Sequence, residues 1–191
     1  MSAWLGTGPL SAGRVTLRPL TFDDVDDLAE VVHDQQRYRW TTVPTDRASS
    51  RAAIEAALAD PESRMAFAVI DNTAGRLVGT TSYYDIDPPN LAVAIGYTFY
   101  TEEAQGTAIN PSSKYALLQH AFEDCGAVRV VWHTHSENAQ SRAAIAKLGA
   151  TFEGLLRKHR RFNDGWRTTA QFAMIDDDWP DARAALQQRI S

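Results

Sequence analysis

The residues best suited to chemistry lie in two short stretches, Gln105-Gly106-Thr107-Ala108-Ile109-Asn110-Pro111 and His133 to Ser141 (HTHSENAQS). In the first, Asn110 can cap a helix and Pro111 can open it: asparagine accepts from an orphan backbone N–H, and proline has no N–H to orphan. A helix start behind a small-residue loop presents outward N–H groups backed by about half a positive charge, which makes a seat for an anion. The same residues also suit a plain cap on a core helix, so the motif needs context. In the second stretch, His133 and His135 share one face of an alternating strand, opposite Trp132 and Thr134. An imidazole near its ordinary value of about 6.5 can take a proton through water, or it can simply satisfy hydrogen bonds in the fold. Asp85, Glu102 and Glu103 are fallback carboxylates for the same task. Trp40, Tyr83, Tyr84 and Trp132 could wall a pocket, although aromatic residues at such spacings are more often core.

The helix opened by Pro111 is carried by Leu117, Leu118, Ala121, Phe122 and Cys125, which fall on one apolar face. Lys114, Gln119, Glu123 and Asp124 are read outside that stripe, and Gly126 is a natural stop. Upstream, Arg14 to Leu20 reads as a strand, Thr21 caps a helix carrying Val25, Leu28, Val31 and Val32, and Arg51 to Leu58 is a second helix. Met65 to Ile70, Arg76 to Tyr84 and Leu91 to Tyr100 read as an antiparallel meander. Downstream come a strand at Val128 to Thr134, a helix at Asn138 to Leu148, and strands at Thr151 to His159 and Arg167 to Ile175. Asn163-Asp164-Gly165 forms the turn between the last two. The class is α/β of the α+β type: a mixed, largely antiparallel central sheet of about seven strands flanked by helices. Trp179 to Ile190 reads as a short C-terminal helix, a candidate homodimer surface.

The 191 residues fit one domain spanning 1–191, with its core at 14–176 and a tail at 177–191. A formal net charge of −5 with no dense cationic block argues against nucleic acid as the main partner. Arg157-Lys158-His159-Arg160-Arg161 is the one basic run and reads as a solvated face. Cys125 is the only cysteine, which excludes an intrachain disulfide and a thiolate metal cluster, and its place on the apolar stripe favours an inert thiol. No stretch approaches the ~20 apolar residues of a membrane-spanning helix, and no signal peptide is visible, so a cytoplasmic protein with no membrane partner is expected.

The element order, with AIGYTFYTEEAQGTAINPSSK before the central helix and THSENAQSRAAIAKLGATFEG after it, resembles the GNAT acyltransferase superfamily. The nearest branch by resemblance is the RimJ/RimL-type N-acetyltransferases, and the likeness runs from about Val15 to Ile175. It implies acetyl-CoA as co-substrate, no metal, and a primary amine as acceptor, either a peptide N-terminus or a small molecule. The family's loop pattern Q/R-x-x-G-x-G/A matches at Gln105. Ala108 stands at a glycine position and Asn110 at the Gly/Ala position. The resemblance implies that amides from Gly106, Thr107, Ala108, Ile109 and Asn110 hold the CoA pyrophosphate. Because alanine resists positive φ, the loop must use a right-handed geometry at Ala108 or bind less tightly. By the same resemblance, Asn138 contacts the pantetheine arm and Ser141 lies near the CoA sulfur. Backbone groups of a splayed strand at Ile95 to Tyr100, with Phe99 and Thr101, align the pantetheine.

Two family residues are missing. Ala94 replaces the glutamate that many relatives use as base, and Ile145 stands about where a tyrosine acid is frequent. Ser141 is therefore assigned to the departing thiolate, and His133 or His135 to the base. An α-amine, with a pKa of about 8 against about 10.4 for lysine, needs less help from a base and suits such a site. The competing expectation is a non-catalytic CoA-binding or scaffold protein that kept the fold.

Overall fold

The computed structural model describes residues 4–6, 8–33 and 35–190, with only the backbone at residue 37. The strands are β1 (Leu10–Ala12), β2 (Val15–Pro19), β3 (Arg64–Asp71), β4 (Arg76–Asp87), β5 (Ala92–Tyr100), β6 (Arg129–His135), β7 (Thr151–Phe162) and β8 (Gly165–Ile175). The helices are α1 (Val25–Ala29), α2 (Arg47–Leu58), α3 (Ile109–Gln119), α4 (Ala139–Ala146) and α5 (Trp179–Ile190). One eight-stranded sheet runs β1-β2-β3-β4-β5-β6-β8-β7, antiparallel throughout except where β5 meets β6. The eighth strand is β1. Its three residues are too few to show alternation in sequence, and it forms because Gly13, at φ +50°, turns it back onto β2.

Local chemistry sets the helix bounds. α2 begins at Arg47, ahead of the expected Arg51, because Asp46 caps it, accepting from the Ser49 amide at 2.7 Å. α1 ends at Ala29 instead of continuing through Val32. There the chain tightens into i→i−3 bonds, with the Glu30 and Val31 amides donating to Asp27 and Leu28, although Val31 and Val32 stay buried. α3 starts at Ile109, so Asn110 and Pro111 sit inside its first turn and are not its cap. Proline is tolerated there because first-turn amides have no intrahelical partner. A single π turn, His120–Asp124, closes α3 before Gly126.

The two faces of the sheet bury separate cores. On one, Leu17, Phe67, Val69, Val93, Ile95 and Val130 pack with α3, α4 and α5. Trp179, Ala182 and Leu186 anchor α5 in this cluster, so the C-terminal segment is part of the packing. On the other face, α1 and α2 cover Ala66, Ala68 and Leu77, and that cover reaches Phe99. Pairing and strand parity place Arg64, Tyr84, Ala94, His133, Gln171 and Arg167 on this second face, beyond the two helices.

Candidate active site

β5 and β6 are held together only at their starts, where Ala92, Val93 and Ala94 pair with Arg129, Val130 and Val131. Past these residues the strands part, and among the described residues Ile95 to Tyr100 have no ladder partner on β6. The divergence is reinforced from the other side. Between the pairs Ser82↔Gly96 and Thr80↔Phe99, β5 carries one extra residue, and Tyr97 takes φ +51°. Such a bulge bends and twists its strand.

At the far end of β5 the chain enters the loop before α3. Gly106 has φ +75°, and a side chain there would meet nothing within 4 Å, so the loop stands open. Ala108 is the N-cap of α3 with φ −68° and ψ −7°, a right-handed conformation in which alanine is unstrained. Ala104 and Gln105 donate their amides to Thr101 and Glu102. Among the described residues, the amides of Gly106, Thr107 and Ala108 donate to no protein acceptor. The Gln105 side chain is committed elsewhere, donating to the Tyr38 hydroxyl at 2.7 Å, and Asn110 accepts from the Tyr100 hydroxyl at 3.2 Å. Three unpaired amides at the start of an eleven-residue helix suit a diphosphate.

On the second face a side-chain bridge spans the gap. The Tyr84 ring crosses from β4 over Gly96, where a methyl group would come within 2.6 Å of Cε1, and its hydroxyl meets His133 Nδ1 at 2.9 Å. Only glycine at 96 leaves that path clear. His133 Nε2 contacts Gln171 Oε1 at 3.0 Å, and Gln171 Nε2 donates to Glu153 at 2.9 Å. The protonation pattern follows, because a carboxylate only accepts. Gln171 must present its amide nitrogen to Glu153 and its oxygen to His133. His133 therefore carries its hydrogen on Nε2, and Nδ1 is an acceptor for Tyr84. Burial holds His133 below the usual histidine value and Tyr84 well above the usual phenol value, so both are neutral near pH 7. His159 lies 5.2 Å from the His133 ring, and Trp40, in the connection between α1 and α2, lies 4.3 Å from the His135 ring. Phe162 flanks His135 at 5.4 Å.

Beneath the bulge, Lys114 is buried with 5% of its surface exposed. Its Nζ donates to Thr81 Oγ1 at 2.9 Å and to Thr98 Oγ1 at 2.7 Å, and burial pushes the ammonium down to about 7. This burial corrects its expected place outside the apolar stripe. Lys114 precedes Leu117 and Leu118 by one helical turn, which brings it onto that stripe.

The acetyltransferase (GNAT) domain family matches residues 14–151, most of the chain. The chain belongs to the GNAT acetyltransferases. A GCN5-related N-acetyltransferase from Brucella melitensis is 28% identical, with a TM-score of 0.88 over 97% of this chain and 86% of that one. Mycobacterium smegmatis RimJ, solved with CoA-disulfide, shares the fold at 21% identity and TM-score 0.78, over 94% of this chain and 91% of that one. RimL, the ribosomal L7/L12 α-N-protein acetyltransferase solved with coenzyme A, shares it at 20% identity and TM-score 0.73, over 86% and 96%. No curated protein matches the chain. GNAT enzymes use acetyl-CoA, and the open loop at Gly106 with its unpaired amides fits that co-substrate. No group of three or more metal-ligating side chains occurs among the described residues, and no helix there is long and apolar enough to cross a membrane.

The structure sorts the residues singled out in sequence. His133 and Tyr84 are hydrogen-bonded to each other, and the Trp40 and His135 rings are in tilted contact. Tyr83 and Trp132 are buried core residues on the α3 face, the Tyr83 hydroxyl donating to the Leu117 carbonyl. Phe99 packs toward α1 and α2, and the Thr101 amide is spent on Val78. Asn138 caps α4, accepting from the Ser141 amide at 3.0 Å and leaving the Ser141 hydroxyl half-buried. Glu102 and Glu103 line a separate small cavity with Glu30 and Tyr38, and Asp85 pairs with Arg160 at 3.4 Å. Residues that sequence reasoning misses include Gly96, Gln171, Glu153 and Tyr97. The only signal for any of them is a glycine inside a strand, which marks a close approach.

Proposed function

We propose that the protein moves the acetyl group of acetyl-CoA directly to a primary amine, a protein N-terminal α-amine or a small-molecule amine, in the manner of the RimJ/RimL-type enzymes. The observation that carries this reading is the parting of β5 from β6, with the unpaired amides at one end and the Tyr84–His133 bridge across it. Acetyl-CoA supplies an activated thioester. Gly106, Thr107 and Ala108 would hold its diphosphate, Asn138 its pantetheine arm, and the unpaired edge of β5 its carbonyl end.

The base is His133, acting through Tyr84. An ammonium acceptor gives a proton to the Tyr84 oxygen as Tyr84 gives its own to His133 Nδ1, so the charge lands on the imidazolium and no tyrosinate accumulates. Gln171 and Glu153 orient that imidazole and stabilise its charge. This arrangement takes the place of the glutamate that Ala94 lacks. Ser141, in the first turn of α4, would donate to the departing sulfur. Direct transfer is supported by the nucleophile inventory: Cys125 contacts His120, and burial pushes its thiol up, which disfavours a thiolate.

The test is free-thiol release from acetyl-CoA with a panel of peptides, amino acids and amines. Turnover on an acceptor that falls about 10-fold or more in Ser141→Ala and in His133→Asn supports the assigned roles. CoA binding with no turnover across the panel would instead leave a CoA-binding scaffold.

A further inference from the structure

Arg64 and Arg167 stand out among the arginines of this fold. Arg14, Arg18 and Arg129 pair with Asp71, Asp24 and Glu153, and even well-exposed Arg47 pairs with Asp26. Arg64 and Arg167 are half-buried, yet neither has a carboxylate partner among the described residues. Among the described residues the hydrogen bonds of each run only through Nε, to Ser82 Oγ at 3.1 Å and to Thr169 Oγ1 at 3.0 Å. The Nη donors, which form the fork of each guanidinium, have no protein acceptor among the described residues. Removing a guanidinium from water without a counter-charge is unfavourable, and here burial holds both below the usual arginine value.

Both arginines flank the Tyr84–His133 bridge. The Arg64 guanidinium lies 3.7 Å over the ring of Tyr97, which meets Tyr84 edge-on at 5.2 Å. Arg167 leaves β8 on the face of His133 and His135, two residues beyond Thr169, the strand partner of His135. Arg160 adds a third guanidinium, already paired with Asp85. A bulge between Leu156 and Arg160, with Lys158 at φ +53°, turns the β7 segment so that His159 and Arg160 reach this face. The chain as a whole carries −5, so three guanidinium groups gathered about the bridge run against the overall balance.

We propose that Arg64 and Arg167 each offer an open guanidinium fork to a carboxylate beside the bridge, so that the acceptor is an amine that also bears a carboxylate. Two sources share this chemistry: a free amino acid with its own α-carboxylate, and a peptide with an acidic side chain next to its N-terminus. The planar fork of arginine suits a carboxylate in either case. This inference rests on the acetyl-transfer reading of the site, and its test separates the two.

The probes are matched pairs: phenylalanine against phenylalaninamide, and the peptides Ser-Glu-Ala against Ser-Gln-Ala. Each is assayed for thiol release with acetyl-CoA and for equilibrium binding to the CoA-saturated protein. The acid member of one pair should be favoured by about 10-fold or more, the worth of a charge-assisted hydrogen bond. A preference in the first pair identifies a free amino acid, and one in the second an acidic peptide N-terminus. In at least one of Arg64→Gln and Arg167→Gln the preference should shrink toward unity, with the lysine variant at that position retaining part of it, while CoA affinity and the unfolding midpoint hold. Acid-selective binding without thiol release would uphold the subsite and sink acetyl transfer. Equal treatment of acid and amide in both pairs, or a preference unchanged in both glutamine variants, overturns the subsite.

Discussion

Lys114→Met is expected to stabilise the protein at neutral and acid pH and to flatten one component of its pH dependence. The wild-type ammonium is buried against two hydroxyls with no counter-ion among the described residues, and its pKa falls from an ordinary 10.5 to about 7. The unfolded chain thus holds this proton more tightly than the native one. Above 10.5 the lysine is neutral in both states and carries no penalty. As pH falls toward 7 the unfolded state alone binds the proton, and native stability drops by about 1.4 kcal/mol for each pH unit. Below about 7 both states are protonated and the loss stops growing, near 5 kcal/mol as an order of magnitude. Methionine follows a similar unbranched path, and Thr81 and Thr98 still bond each other at 2.8 Å, so neither hydroxyl is orphaned. Urea unfolding of both proteins at about pH 6, 7.5 and 9 reads the difference, with linear extrapolation to water. The variant should lead by several kcal/mol at the lowest pH, and the gap should narrow steadily toward the highest. A gap independent of pH, or a variant less stable at pH 6, would refute the reasoning.

Further outcomes concern the site itself. Gly96→Ala places a methyl group against the Tyr84 ring and should break the bridge to His133. The turnover number should fall about 10-fold or more while CoA affinity is retained, read by thiol release and calorimetry. Ala108→Gly should leave CoA affinity within about twofold, since Ala108 is already right-handed, whereas Gly106→Ala puts a side chain at φ +75° at a cost of about 1–2 kcal/mol, visible in thermal unfolding. Because burial lowers His133 below 6.5, kcat/KM should lose activity only as pH falls through that lowered value, and His133→Asn should abolish that acid limb in a pH–rate profile.

Much of the frame is legible in residue order. Alternation in Arg14 to Leu20, the unbroken apolar run of Met65 to Ile70, and the apolar stripe of Leu117, Leu118 and Phe122 place strands and the central helix, because side-chain period follows directly from backbone geometry. The ends are less legible: a three-residue strand has no period to show, and a cap such as Asp46 competes with the alanine-rich run behind it. Parity puts His133 and His135 together on one face, opposite Trp132. It cannot say that Tyr83 is spent on Leu117 while its neighbour Tyr84 reaches His133, since that depends on where β4 stands relative to β6.

Local grammar is thus written in the chain itself: the order of elements, the open loop before α3, and the residue types available for proton transfer. Which of those residues meet is settled by three-dimensional packing. Tyr84, Gly96, His133, Gln171 and Glu153 come from β4, β5, β6, β8 and β7, and sheet order brings them together across long stretches of chain that carry no local preference for the meeting. Closing such long loops costs little more entropy than closing short ones, so nothing in the spacing of these residues announces the contact. Packing likewise leaves Arg64 and Arg167 half-buried without a counter-charge among the described residues, because a strand fixes which way an arginine points and only its neighbours decide whether a carboxylate waits there.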